Sequence, residues 1–204
     1  MLIELHPKNP NPRELKRVID ALNTDQVIIL PTDTIYAMGC KLNSKKALET
    51  MCRIAGKKPE KVHFSLLCSD LSHLSEYTAP LDKSTFRLMK NNLPGPFTFI
   101  VLANKQVTKW FAGNKKTIGI RVPDHVIAQT IVAQLEYPLL VSTIHHDDTI
   151  LEYMTDPQEI AEKFRHQVSL VIDGGAGGHE PSTIVDCTGS EPVILRQGKG
   201  VLTH

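Results

Sequence analysis

Two arginines stand in or at the end of apolar runs: Arg121 in TIGIRV and Arg196 closing VILR. A guanidinium in such a place either pairs with a buried acid, with Asp33 and Asp186 at hand, or faces a carboxylate or phosphate ligand. Short hydroxyls recur at comparable positions: Thr34 and Tyr36 after VIIL, Ser142 and Thr143 after LLV, Ser182 and Thr183 before IVD. Lys57 and Lys58 add cations just past a glycine. Cations and hydroxyls gathered in one crevice align and neutralise anions, which is chemistry of positioning rather than of a proton-shuttling triad. The signatures GxSxG, HExxH, the calcium-loop pattern, GxxxxGK[ST] and GxGxxG do not occur. His145-His146-Asp147-Asp148 combines metal-ligating types, but adjacent side chains diverge and no further His/Asp pair follows at ligand spacing. No metal site is assigned there.

These residues need elements that carry strand ends to one side. VIIL, Val27 to Leu30, has the length and β-branched content of a buried strand, and Pro31 stops its ladder. Thr32 to Tyr36 then reads as a polar turn beside a backbone freed by Gly39. Before it, Asn11-Pro12-Arg13-Glu14 is an N-cap with a proline at the first helical position, and Leu15, Val18, Ile19 and Leu22 form one helical face. Ser44 caps a second helix with Leu48, Met51, Cys52 and Ala55 inward; it ends at Gly56, leaving residues 57 to 61 as a basic turn before a strand from His63 to Cys68.

Asp70 and Asp82 are expected to cap two short helices, and Asn92-Leu93-Pro94-Gly95-Pro96 breaks the chain before the strand Phe97 to Ala103. Thr117 to Val122 and Leu139 to Ile144 are further strands, separated by a helix that Asp124 would cap, with Ile127, Ile131 and Leu135 aligned. Lys105 to Asn114, with Trp110, stays ambiguous. Asp156-Pro157-Gln158-Glu159 opens a helix through Phe164, and strands at Val168 to Ile172, Ser182 to Asp186 and Val193 to Arg196 close the chain. The run Gly174 to Gly178 precedes a strand, not a helix N-terminus, so it reads as a mobile turn rather than a phosphate loop. The sum is one α/β domain over 1–204, its sheet mixed parallel and antiparallel.

Composition bounds the function. The four cysteines form no CxxC pair, and no apolar run approaches the roughly 20 residues of a membrane span. We expect reduced thiols in a cytoplasmic protein without a membrane partner. The net charge of +1 hides an uneven distribution: Lys41 to His63 holds seven basic residues against two acids, whereas Pro123 to Glu162 holds eight acids and no Lys or Arg. Such asymmetry focuses anions on one face, although lysines on helices are also commonly just solvated.

PTDTIYAMGC, NNLPGPFTFIVLA, TIGIRVPDH and PSTIVDCTGSEPVILRQGKG occur in the order and spacing of the YrdC/YciO family, and the resemblance spans nearly the whole chain. FRLMKNN at Phe86 to Asn92 is more similar to the YciO branch. The resemblance implies a twisted mixed sheet with a positively charged concave surface. It also implies nucleotidyl transfer: L-threonine, bicarbonate and ATP, with Mg²⁺ carried on the phosphates, giving threonylcarbamoyl-adenylate for tRNA modification. On that reading Thr34, Tyr36 and Arg121 hold the amino acid, Lys57 and Lys58 act on the phosphates, and Ser142, Thr143, His145, Ser182, Thr183 and Arg196 hold the nucleotide. The synthase branch has Lys-x-Arg before a proline where this chain has Gly56-Lys57-Lys58, and Ser-Ala-Asn where it has Thr143-Ile144-His145. Lysine keeps the charge but not the two-pronged guanidinium contact. The rival reading is a protein of the same fold that binds tRNA or double-stranded RNA by shape and phosphates, without synthase chemistry.

Overall fold

The computed structural model describes residues 1–111, 116–144 and 153–203. Ten strands form one sheet: β1 (Leu2–Glu4), β2 (Ile28–Leu30), β3 (Ala37–Lys41), β4 (Ser65–Leu67), β5 (Phe97–Leu102), β6 (Thr117–Arg121), β7 (Leu139–Thr143), β8 (Leu170–Asp173), β9 (Thr183–Asp186) and β10 (Val193–Arg196). Their order is β1-β8-β2-β3-β7-β4-β6-β5-β9-β10. Pairing is mixed: β4 runs parallel to β6 and β5 to β9, while β3, β7 and β4 are successively antiparallel. The expected mixed α/β architecture is therefore what the chain adopts.

Among the described residues six α-helices cover the sheet: α1 (Pro12–Asn23), α2 (Lys45–Ile54), α3 (Lys83–Asn92), α4 (Lys105–Trp110), α5 (Val126–Leu135) and α6 (Pro157–Lys163). Several begin as the local chemistry dictates. The side chains of Asn11, Ser44, Asp82 and Asp156 accept hydrogen bonds from Arg13 N, Ala47 N, Thr85 N and Gln158 N, satisfying backbone donors that have no partner within the helix. Two expected caps are corrected. Asp70 caps no α-helix; it accepts from Ser72 N at 2.6 Å and a short 3-10 turn, Leu74–Glu76, follows. Asp124 is not the cap of α5, which follows His125; its own N–H donates to the Asp33 carboxylate.

Side-chain parity divides the sheet. Registered neighbours point the same way and successive residues opposite ways, so two faces can be read across the strands. One face carries Ile29, Met38, Leu66, Leu140, Phe97, Phe99, Ile120 and Val185, buried under α2, α3, α4 and α6. The other starts with Ile3, Ile28, Leu30, Ala37, Leu67 and Val141 beneath α1 and α5. Beyond those two helices, no helix among the described residues covers the same face. Gly39, expected to free a turn, instead lies within β3, registered with Ile28 and Val141; the turn is confined to residues 31–36. A Cβ there would meet Leu30 Cδ2 at 3.0 Å, so the missing side chain serves close packing.

Candidate anion-binding crevice

The uncovered part of that face is a crevice of about 430 Å³. Its floor follows from register: Ser65 opposite Gly119, Thr98 and Ile100 on β5, Arg121 two residues beyond Gly119, and Ile184 beside Arg196 across β9 and β10. Gly119 is small of necessity, because a Cβ would sit 2.3 Å from Ser65 Oγ and 2.9 Å from Thr98 Cγ2. Lys57, Lys61 and His63 line one rim, with Ser142 and Thr143 at the end of β7.

Arg121 is the most organised member. One of its terminal nitrogens donates to Asp33 Oδ1 at 2.9 Å and to Thr34 Oγ1 at 3.0 Å, with the side chains of Arg121 and Asp33 only 6% and 7% exposed. The paired-acid reading of Arg121 thus holds, with Asp33 as the acid. Its Nε is buried without a hydrogen-bond partner, leaving one directional donor unspent. Burial pulls the guanidinium pKa down, while Asp33 pushes it back up. Asp33 is held in turn by Asp124 N, and its carbonyl accepts from Lys199 Nζ at 2.7 Å.

The structure does not bring every expected residue to the crevice lining. Thr34 is buried and acts through Arg121, its hydroxyl also shared with Thr32 at 3.0 Å. Tyr36 is buried on the opposite face of the sheet from Arg121 and donates to Gly175 O at 2.7 Å, so its phenol fastens the glycine run instead of facing a ligand. That run is docked: Gly178 N donates to Thr34 O at 2.7 Å, and a Cβ on Gly178 would lie 2.3 Å from the same oxygen. Lys58 is exposed outside the lining, where Lys61 stands beside Lys57. Ser182 shares a hydrogen with Thr98, a lining residue, at 2.8 Å. Thr183 is fully buried and its hydroxyl is occupied, donating to Gly200 O and accepting from Gly198 N; it holds the C-terminal turn. Arg196 lines the crevice and donates to Ser182 O at 2.8 Å, with no bond to Asp186, which accepts from Thr188. His145, with the whole His145 to Asp148 motif, lies outside the described residues.

Sequence reasoning missed Lys61, His63, Ser65, Thr98, Thr117 and Gly119. For Thr117 and Gly119 the signal was available, since in TIGIR they share the strand parity of Arg121. Among the described residues no three His, Cys, Asp or Glu come together in a group that could hold a metal ion. No helix among the described residues is long and apolar enough to cross a membrane.

A mixed ten-stranded sheet, with a buried arginine in a crevice on one face, defines a single α/β domain. The comparisons carry this further: the chain belongs to the Sua5/YciO/YrdC family, whose model, described as telomere recombination, matches residues 20–198. It is 41% identical over 197 residues to E. coli K12 YciO, covering 96% of this chain and 94% of that protein. The crystal structure of E. coli YciO superimposes with a TM-score of 0.89, over 98% of this chain and 97% of that one. The threonylcarbamoyl-AMP synthase of Vibrio vulnificus YJ016 is 27% identical over 187 residues, 90% of this chain and 98% of its own. P. abyssi Sua5 complexed with L-threonine shares the fold at a TM-score of 0.87 and 22% identity, over 97% of this chain and 57% of that one.

Proposed function

We propose that the crevice binds ATP and a carbamoylated amino acid and joins them as an acyl-adenylate, with L-threonine as the amino acid. The observation that carries this reading is the unspent Nε of Arg121 in a crevice also lined by Lys57, Lys61 and Arg196: a site for one anion at the buried end and for a polyanion at the open end. The relatives named threonylcarbamoyl-AMP synthase, and the Sua5 structure holding L-threonine, support the choice of substrates.

The chemistry balances in two steps. The threonine amine takes up bicarbonate with loss of water, giving a carbamate; its carboxylate oxygen then attacks the α-phosphorus of ATP, and pyrophosphate leaves. Arg121 would hold the amino-acid carboxylate, with Thr34 and Asp33 fixing the guanidinium. Lys57, Lys61 and Arg196 would neutralise the charge growing on pyrophosphate, and Ser142 and Thr143 would bond the nucleotide. A bound Mg²⁺ would share that charge from the phosphate side. Alignment and electrostatic stabilisation supply most of such a rate.

The test is incubation with ATP, bicarbonate and labelled threonine, reading pyrophosphate and a threonine-dependent adenylate beside an active synthase. No product above a heat-killed control defeats the proposal. A second reading, binding of tRNA or double-stranded RNA without chemistry, is supported by the exposed Lys58 and Lys61 in the turn that carries Lys57. It predicts tRNA affinity that falls steeply with salt and is indifferent to ATP.

A further inference from the structure

A second cavity, of about 610 Å³, lies between α3 and the segment of residues 69–81, and it shares no lining residue with the crevice. Its walls are mainly apolar, with Leu71, Leu81, Phe86, Leu93, Pro94 and Val122, and Asp70 is among the polar residues between them. The volume falls within the roughly 300–1,000 Å³ of small-molecule sites, which are mostly apolar with a few polar groups that fix orientation. Phe86 is 41% exposed at its edge although Leu88 and Met89 of the same helix are buried. An aromatic ring left half in water beside an apolar hollow is a surface that gains from an occupant.

Charge narrows what that occupant is. Lys90 lines the cavity, and Lys83 and Arg87 flank Phe86 on the outward side of α3, all three exposed and without an ion pair among the described residues. Two neighbouring carboxylates stay charged, each held in place by neutral donors. Asp70 accepts from Ser72 N, and Asp82 accepts from Ser84 and Thr85. The rim therefore sets three cations, Lys83, Arg87 and Lys90, against the two carboxylates Asp70 and Asp82, a small positive excess over an apolar hollow.

We propose that this cavity is a separate ligand site that takes a small anion with an apolar body, an aromatic or medium-chain acyl carboxylate or sulfonate, its body against Phe86 and Leu81 and its charge at Lys90. The site stands independently of the adenylate-forming crevice. At its inner end Val122 follows Arg121 directly in the chain, so the two cavities meet across one peptide unit.

The probe is 8-anilinonaphthalene-1-sulfonate, an aryl sulfonate whose fluorescence reports an apolar site, titrated into the full chain and displaced with decanoate or with decan-1-ol. We expect decanoate to displace it about tenfold more strongly than the alcohol, the size of one charge-assisted contact. Phe86→Asp should abolish probe binding, and Lys90→Met should bring decanoate down to the alcohol's level while leaving the alcohol unchanged. Both sites are on the surface, and unaltered thermal melting of each variant excludes binding to a loosened fold. Weakening by Lys57→Met rather than Lys90→Met would place the ligand in the crevice and overturn the proposal. So would equal displacement by decanoate and decanol.

Discussion

The two ends of the crevice are built differently. At the Arg121 end the cation is buried, paired with Asp33, touched by Thr34 and braced by Asp124 N. At the Lys57 end the cations are half-buried or exposed, and the ammonium groups of Lys57 and Lys61 have no ion-pair partner among the described residues. Arg196 lies between these extremes, half-buried and held by a carbonyl. A buried guanidinium has one geometry and so selects a planar anion in one orientation, whereas lysine ammonium groups on flexible stems follow a larger and more variable anion. On the proposed function, specificity would rest on the first end and charge compensation on the second.

The sharpest way to break this contrast is to remove Asp33. Asp33→Ala leaves Arg121 buried and unpaired and should cost about 3–5 kcal/mol of stability, read from the urea midpoint. A loss below 1 kcal/mol would show that Arg121 relaxes into water and that this end is not prearranged. Next in size, Thr183→Val should cost about 1–3 kcal/mol, because the Gly198 N–H loses its partner and the buried Gly200 carbonyl keeps only its bond from Gln197 Nε2. An unchanged midpoint there would mean the C-terminal turn holds itself.

At the open end, Lys57→Met, Lys61→Met and Arg196→Ala should each weaken ATP-induced thermal stabilisation by about tenfold in affinity, roughly 1.4 kcal/mol. Lys58→Ala, outside the lining, should have a smaller effect. If Lys58 proves the stronger of the four, the rim of the crevice is drawn in the wrong place.

The smallest expected effect concerns pH. Burial pushes the Tyr36 phenol from 10.0 up to about 12, partly offset by the hydrogen bond from Gly174 N. Between those values the unfolded chain releases a proton that the folded chain keeps. Tyr36 therefore contributes fully below pH 10, and its contribution is lost as pH rises toward 12. Tyr36→Phe should make the stability curve shallower in that window, and parallel curves would show that the phenol ionises as freely folded as unfolded.

Much of the fold was legible locally. Asn11, Ser44, Asp82 and Asp156 cap helices because a side-chain oxygen one residue before a helix meets free N–H groups whatever the tertiary surroundings. Asp70 and Asp124 carry the same chemistry and do otherwise: one closes a turn on Ser72, and the other gives its backbone N–H to a carboxylate 91 residues away. Within the site, Arg121 and Arg196 stood out as guanidinium groups in apolar strands. Thr183 looked equivalent to Ser182 in sequence, yet the two fall on opposite sides of the strand. Thr183 is buried under the C-terminal turn, while the Ser182 hydroxyl meets Thr98.

The sequence by itself determined the helix starts, the apolar strands and the residue types that hold anions, since these rest on contacts within a few positions along the chain. Only the tertiary structure decided which of those residues share a surface. The order β7-β4-β6-β5-β9-β10 places Thr143, Ser65, Arg121, Thr98, Ile184 and Arg196 side by side, though they come from six separate stretches of the chain. It also buries Tyr36 and Thr183, and it substitutes Lys61 for Lys58 at the rim. Strand pairing is non-local, and no periodicity along one strand states which neighbour lies beside it.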